Sequence, residues 1–256
     1  MLSAERRNLI LAQIREKKKV FVNDLSRQFG VSEETIRRDL ERLDEEGVVI
    51  KGYGGAVLNE EFGMDLPFNV RCRINPGAKD VIAQLSLREI TPGDHIFLDA
   101  SSTSVFLSRA LKKLQMERLT VVTNSVENAV TLSHIANAKV LLTGGELSQV
   151  SMSLSGAKTL DSISGYHMDK AFISCKGLDK KCGITEGNDE VSLIKKAALN
   201  ASDKVYLMAD AEKFDKVNFS KVCGLERVDA LITELRPKKS WITALREKDI
   251  RLICPE

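Results

Sequence analysis

VSEETIRRDL, residues Val31–Leu40, decides how the first quarter of the chain is read. Ser32 is a good helix N-cap residue. Ile36 and Leu40 stand four apart and Leu43 continues their stripe, as one buried face of a helix requires. Arg37 and Arg38 fall between them and, at about 100° per residue, point away from that face. The arginines can balance Asp39, Glu41 and Glu45 on a solvated face, or they can read a partner.

The neighbouring segments favour a partner. AERRNLILAQIREK places Leu9, Ile10 and Ile14 at helical spacing, and VNDLSRQFG is a short helix ending at Gly30, a good C-cap residue. SEETIRRDLERLDEEG is the third helix, closing at Gly47, and VVIKGYGGAVL gives two β-rich runs around a glycine turn. Helix, helix, tight turn, helix and hairpin is the order of a winged helix-turn-helix. In that motif the second helix of the pair offers its N-terminal residues to base edges in the major groove. Ser32, Glu33, Thr35, Arg37 and Arg38 are therefore the candidate reading face, and Lys51, Gly54 and Gly55 the candidate wing contacts. Arginine holds guanine through two hydrogen bonds or clamps a phosphate, so both roles stay open. Charge alone does not argue for DNA: residues 1–20 hold six Lys/Arg against two Glu, but residues 1–58 hold eleven basic and ten acidic side chains.

VNDLSRQFGVSEETIRRDLERLDEEGVVIKGYGGAV closely resembles the N-terminal signature of the DeoR family of bacterial sugar-operon regulators. TIRRDL and the hairpin string are its most specific parts; Tyr53-Gly54-Gly55-Ala56 stands where many members have His-Gly-Gly-Ala. The resemblance runs through the whole chain. It implies a second domain similar to ribose-5-phosphate isomerase and CoA transferases, used to sense sugar phosphates.

From about residue 75 the pattern changes. HIFLDA, LTVVTNS, AKVLLTGG, KAFISCKG, KVYLMAD, VDALITE and IRLICPE read as strands, with helices expected at 102–115, 125–136, 189–200 and 238–247. Such alternation points to an α/β domain with a largely parallel sheet. NEEFGMDLPFNVRCRIN, residues 59–75, lacks a period and is expected to link a DNA-binding domain at 1–58 to an α/β domain at 76–256.

In open α/β sheets ligands bind beyond the carboxyl ends of the strands. LDASSTSVFLSRAL sets Asp99, Ser101, Ser102, Thr103 and Ser104 between a strand and a helix, where backbone N–H groups suit a phosphate. The plainer function of those hydroxyls is N-capping. Thr123, Asn124 and Ser125 repeat the arrangement. Gly144 and Gly145 allow close approach of a ligand or only a tight turn, and Lys176, Gly177, Asp210 and Lys213 sit at two further strand ends. TNS, the GG pair and the Asp-x-x-Lys-Phe spacing at 210–214 match DeoR-family sensor segments. Asp99-Ala100-Ser101-Ser102-Thr103 departs from the family's Asp-x-Gly-Thr-Thr-like string.

The chain has 256 residues, is 43% hydrophobic and carries a net charge of +2, enough for a sizeable core. Its five cysteines form no CxxC pair and its three histidines no metal-spaced group, so reduced thiols, no metal and no cofactor are expected. No run of about 18 apolar residues marks a membrane span. The expected protein is a cytoplasmic DNA-binding regulator, a repressor of a carbohydrate operon. It binds double-stranded operator DNA and a phosphorylated sugar, as a homo-oligomer (dimer or tetramer). The competing expectation is a sugar-phosphate isomerase or transferase with an accessory DNA module. Asp169, Glu186, Asp189 and Glu190 are its available acids, and Cys175 beside Lys176 its available nucleophile, without a diagnostic catalytic spacing.

Overall fold

The computed structural model of the chain describes residues 1–59, 66–114, 116 and 118–256. They form two compact units, Met1–Asn75 and Pro76–Glu256.

The first unit runs through helix α1 (Ser3–Lys17), strand β1 (Lys19–Phe21), helices α2 (Val22–Phe29) and α3 (Glu33–Glu45), hairpin strands β2 (Val49–Gly52) and β3 (Gly55–Leu58), and helix α4 (Phe68–Arg73). α2 stops where Gly30 takes φ +64° and its N–H closes onto the Ser26 carbonyl. α3 starts where the Ser32 hydroxyl oxygen accepts the Thr35 N–H at 3.2 Å; such a cap is worth about 1 kcal/mol. Ile10, Ile14, Leu25, Ile36, Leu40 and Leu43 fill the core. The strands pair antiparallel in the order β1-β3-β2, one strand more than the expected hairpin. Gly55 is required by this third strand: a Cβ there would lie 2.1 Å from the Val20 carbonyl oxygen.

The expected linker needs correction. Residues 60–65 lie outside the described residues, but α4 buries Phe68 and Val70, and Val70 joins the first unit's core. Arg73 pairs with Glu46 beyond the end of α3 at 2.7 Å. Residues 66–75 thus belong to the first unit. A six-residue helix shows too little of a 3.6-residue period to be seen in sequence.

The second unit comprises α5 (Pro76–Leu87), β4 (His95–Leu98), α6 (Ser102–Leu114), β5 (Thr120–Thr123), α7 (Val126–Leu132), β6 (Lys139–Leu142), β7 (Glu146–Ser148), β8 (Ser153–Ser155), α8 (Ala157–Ser164), β9 (Met168–Ser174), β10 (Gly177–Asp179), β11 (Gly183–Glu186), α9 (Asp189–Asn200), β12 (Ser202–Met208), β13 (Ser220–Cys223), β14 (Ala230–Ile232), α10 (Lys239–Arg246) and β15 (Arg251–Ile253). The seven apolar runs form one wholly parallel sheet in the order β15-β14-β12-β9-β4-β5-β6. Successive residues face opposite sides, as strand geometry demands. Phe97, Val122, Ala171 and Ile173 pack with α9 and α10. Ile96, Leu98, Val121 and Phe172 pack with α5, α6 and α7.

The strand order reverses between β4 and β9. From β4 the chain moves outward to β5 and β6, then returns to β9 and continues through β12, β14 and β15. α6, which follows β4, lies on one face and α9, after β9, on the other. Helices diverging in this way open a crevice at the carboxyl ends of the two strands. Near this edge Trp241, the one tryptophan, sits edge-on to Phe214 and its Nε1–H donates to Asp215 at 2.8 Å.

Candidate functional site

Two faces carry the candidate residues, one in each unit. On α3, Arg37 and Arg38 project into solvent, but each is held one turn back by a glutamate. Arg37 meets Glu33 at 2.7 Å and Arg38 meets Glu34 at 3.3 Å, all four side chains about half exposed or more. Exposed pairs of this spacing are worth roughly 0.3–0.5 kcal/mol, so a phosphate or a base can replace the glutamate at small cost. Ser32 is engaged as the cap, and its hydroxyl lies 2.9 Å from that of Thr35.

Asp39 is not on that solvated face. It lies three residues after Ile36 and four before Leu43, inside the buried stripe, and its carboxylate meets Arg6 of α1 at 2.5 Å and Arg7 at 3.5 Å. Lys51, on β2, meets Glu41 at 2.9 Å, and its N–H donates to Asp44 at 3.1 Å. The Lys51 ammonium holds the Glu41 carboxyl below the usual carboxylate range. The wing turn holds Gly54 at φ +80° with Tyr53 fully exposed beside it.

In the second unit the five candidate stretches follow β4, β5, β6, β9 and β12. These strands are neighbours in a parallel sheet, so all five stretches lie along one edge. At the switch point Asp99 Oδ2 accepts the Ser174 N–H at 2.8 Å, and Oδ1 accepts the Ser101 N–H at 3.1 Å. Ser101 caps α6, its Oγ accepting the Ser104 N–H at 3.1 Å. The first N–H groups of a helix have no intrahelical acceptor, and at α6 they start beside this crevice. α7 carries the same cap, its Asn128 N–H donating to Ser125 Oγ at 3.2 Å, but differs in its first turn, where the Val126 N–H donates to the Met152 carbonyl at 3.1 Å. Thr123 donates to the Leu98 carbonyl at 2.7 Å, and Asn124 donates to the Leu154 carbonyl at 3.0 Å.

Gly145 and Gly177 have packing reasons of their own. A Cβ on Gly145, at φ +133°, would lie 2.3 Å from the Ser155 carbonyl oxygen, and one on Gly177 would lie 2.5 Å from that of Lys216. Lys176 runs over Gly187, whose Cβ would fall 2.7 Å from the Lys176 Nζ. Asp210 caps the short turn Ala211–Lys213, accepting the Glu212 N–H at 3.0 Å.

Sequence reasoning missed the centre of this edge. Lys195 of α9, 4% exposed, donates to the Ser174 carbonyl and to Glu186 at 2.5 Å each, and lies 3.0 Å from Asp99. Burial alone would favour the neutral amine, but Glu186 and Asp99 outweigh it and hold the ammonium well above the usual lysine value. Its sequence signal was spacing: Lys195 stands three residues from both Ser192 and Ala198, on the buried side of α9. Asn128 was missed too. It is fully buried and joins the Asp99 carbonyl, Ser108, Ser104 and Thr123.

Of the groups named for an enzyme, all but Glu190 are buried or otherwise engaged. Burial pushes the Cys175 thiol up to about 12, with the Glu186 charge adding to the effect, so it stays protonated. Asp169 lies at the amino end of β9, the opposite edge, accepting the His95 N–H at 2.7 Å. Glu186 is locked on Lys195, and Asp189 accepts from the Ser220 hydroxyl at 2.6 Å. Glu190 is exposed in the first turn of α9. Among the described residues no group of three His, Cys, Asp or Glu side chains is placed to hold a metal ion, and no helix is long and apolar enough to cross a membrane.

The family model for the DeoR-like helix-turn-helix domain matches residues 6–62, and that for the DeoR C terminal sensor domain matches residues 74–235. The chain belongs to the DeoR family. The uncharacterized HTH-type transcriptional regulator YulB of Bacillus subtilis is 36% identical over 98% of this chain and 96% of its own. The L-fucose operon activator of Haemophilus influenzae is 32% identical over 90% and 91%, and the glycerol-3-phosphate regulon repressor of Escherichia coli 29% over 98% and 99%. Ribose 5 phosphate isomerase A from Neisseria gonorrhoeae covers 53% of this chain and 52% of its own, with 18% identity and a TM-score of 0.40. eIF2B delta from Chaetomium thermophilum covers 66% and 59%, with 18% identity and a TM-score of 0.48. Likenesses so distant carry no argument about chemistry. The whole-length DeoR relatives do: this chain is a transcriptional regulator with a DNA-binding winged helix and a sensor domain, and not a metabolic enzyme.

Proposed function

We propose that this regulator is a cytoplasmic repressor of a carbohydrate-use operon, binding duplex operator DNA as a dimer or tetramer and releasing it when a phosphorylated sugar binds the second unit. The observation that carries the effector reading is the convergence of five polar strand ends on one sheet edge, with the start of α6 at the topological switch point. The phosphate sits on the backbone N–H groups of residues 102 and 103, with Lys176 or Lys213 as its counter-charge. On the DNA side Thr35, Arg37 and Arg38 face the major groove, and Lys51, Gly54 and Gly55 lie along the backbone.

Two named relatives support a carbohydrate-linked role: one is a repressor of a glycerol-3-phosphate regulon, the other an activator of an L-fucose operon. Release rather than recruitment is the sign we adopt. Calorimetry of the full chain with a panel of sugar phosphates, with and without operator DNA, is the test. A typical coupling of about 1–3 kcal/mol gives a 5–150-fold change in DNA affinity. A ligand binding free and DNA-bound protein equally well is not the effector. Loss of binding in Lys213→Ala but not Lys176→Ala assigns the phosphate partner, and retention in both removes the phosphate from this edge.

A further inference from the structure

α3 is seated on its unit by Ile36, Leu40 and Leu43 and by one buried carboxylate, Asp39, while the exposed Asp44 and Glu41 meet Lys51 of β2. Apolar contacts are non-directional, so a helix held by a stripe alone can roll slightly at little cost. Asp39 is held differently. One carboxylate oxygen takes the Arg6 Nε–H at 2.5 Å and the other lies 3.5 Å from Arg7 Nη1, while Arg6 is 6% exposed and Asp39 3%. Charge-assisted hydrogen bonds of this kind are strong and geometrically demanding. A buried ion pair is a poor stabiliser compared with apolar residues of the same volume, and its best-attested use is to fix register.

Asp39 directly follows Arg37 and Arg38 on the same helix. A roll of about 20° moves an atom roughly 6 Å from a helix axis by about 2 Å. That exceeds the whole range of hydrogen-bond lengths, about 2.7–3.2 Å for N–H···O. Whatever fixes the rotation of α3 therefore fixes what its exposed arginines can reach.

We propose that Arg6 and Asp39 are the positioning pair of the DNA reader: α1, through this buried ion pair, sets the rotation of α3 and so the sequence specificity of binding. This rests on α3 being the reading helix. The pair touches no DNA. It acts by aiming Thr35, Arg37 and Arg38, so its loss affects specific binding more than phosphate-driven binding, which tolerates misalignment.

The test uses the full chain and two duplexes of equal length: one enriched by the wild-type protein from a random-sequence pool, the other its scrambled counterpart. Arg6→Met with Asp39→Leu removes both charges of the pair and leaves Arg7 without its 3.5 Å Asp39 contact, so folding of the variant is verified first by circular dichroism. The folded double variant is expected to bind the scrambled duplex like wild type and the enriched duplex roughly 5–150-fold more weakly, the range of one lost base-reading contact. A folded double variant that keeps the enriched-duplex affinity overturns the proposal. If the double variant fails to fold, Arg6→Lys decides, because it keeps the charge and loses the guanidinium geometry. A loss confined to the enriched duplex supports the proposal; wild-type affinity on both duplexes, or an equal loss on both, overturns it. Arg37→Ala and Arg38→Ala run alongside. If these leave enriched-duplex binding intact, α3 is not the reader, which is separable from failure of the pair.

Discussion

The two polar faces of this chain are built in opposite ways. On α3 the arginines pair with glutamates one turn away in the same helix, and both partners stay wet. At the sheet edge Lys195, Asp99 and Glu186 come from three different elements, and none is more than about 5% exposed. A wet local pair is worth little and is readily exchanged for an incoming anion. A buried pair is costly to break, because either partner alone is an uncompensated charge in a dry environment. One face is arranged to give up its partners to a ligand; the other is arranged to hold the strand ends still.

Lys195→Met sharpens this contrast most. It leaves two buried carboxylates without their counter-ion and is expected to destabilise the second unit by about 3–5 kcal/mol in denaturant unfolding. A loss below about 1 kcal/mol at neutral pH would erase the distinction between the two faces. Next in size are Arg37→Ala and Arg38→Ala. Each is expected to leave unfolding unchanged and to weaken operator binding by about 1–3 kcal/mol if it reads a base. A phosphate contact would instead weaken all sequences alike and flatten the salt slope. Titrations at several salt concentrations separate the two. A smaller change is expected from Lys51→Glu, which removes the Glu41 pair at 2.9 Å. If the wing lies on the backbone, the slope of log affinity against log salt falls by about 1; an unchanged slope leaves Lys51 as a brace between β2 and α3.

The smallest effect belongs to a third polar pair, at the opposite edge of the sheet. The His95 N–H holds the Asp169 carboxyl below its usual value. A depressed carboxyl contributes stability above its unfolded pKa, about 3.9, and loses it as pH falls through the folded value. Asp169→Asn should therefore lower stability slightly at neutral pH and not at all in acid. Both side chains are about half exposed, so solvent screening keeps the effect small. Paired acid titrations of wild type and variant, monitored by circular dichroism, would show it.

The same contrast explains what could be read in advance. The inner sheet strands were legible because a strand buried on both faces must be a run of apolar residues, and the edge strands β6 and β15, only partly buried, still carry short apolar runs. α3 was legible because a cap, a stripe and a glycine stop are all local. The strands β7, β8, β10, β11 and β13 were not: at three or four residues they show no period, and their pairing is a matter of tertiary contact. Lys195 stands next to Lys196 and reads as one of two solvated lysines, although the buried side of α9 runs through the first and not the second. Asp39 was misread for the same reason, an acidic residue assumed wet. In both cases spacing to the neighbouring apolar residues carried the correct signal, and residue type overrode it. The polar strand ends were legible as candidates because each interrupts an apolar run, but their hydrogen-bond partners lie up to 75 residues away.

The lone tryptophan offers a different use of the fold. Trp241 is bonded to Asp215 and edge-on to Phe214, so its ring touches the segment that begins with Asp210 and Lys213. Indole emission depends on local polarity and hydrogen bonding, and this chain holds a single indole, fully buried. Any ligand that shifts the 210–215 segment therefore alters the emission of one known ring, without a label. If the effector binds at the proposed edge, titration of the intrinsic emission with and without operator DNA is expected to follow its occupancy and rate in solution.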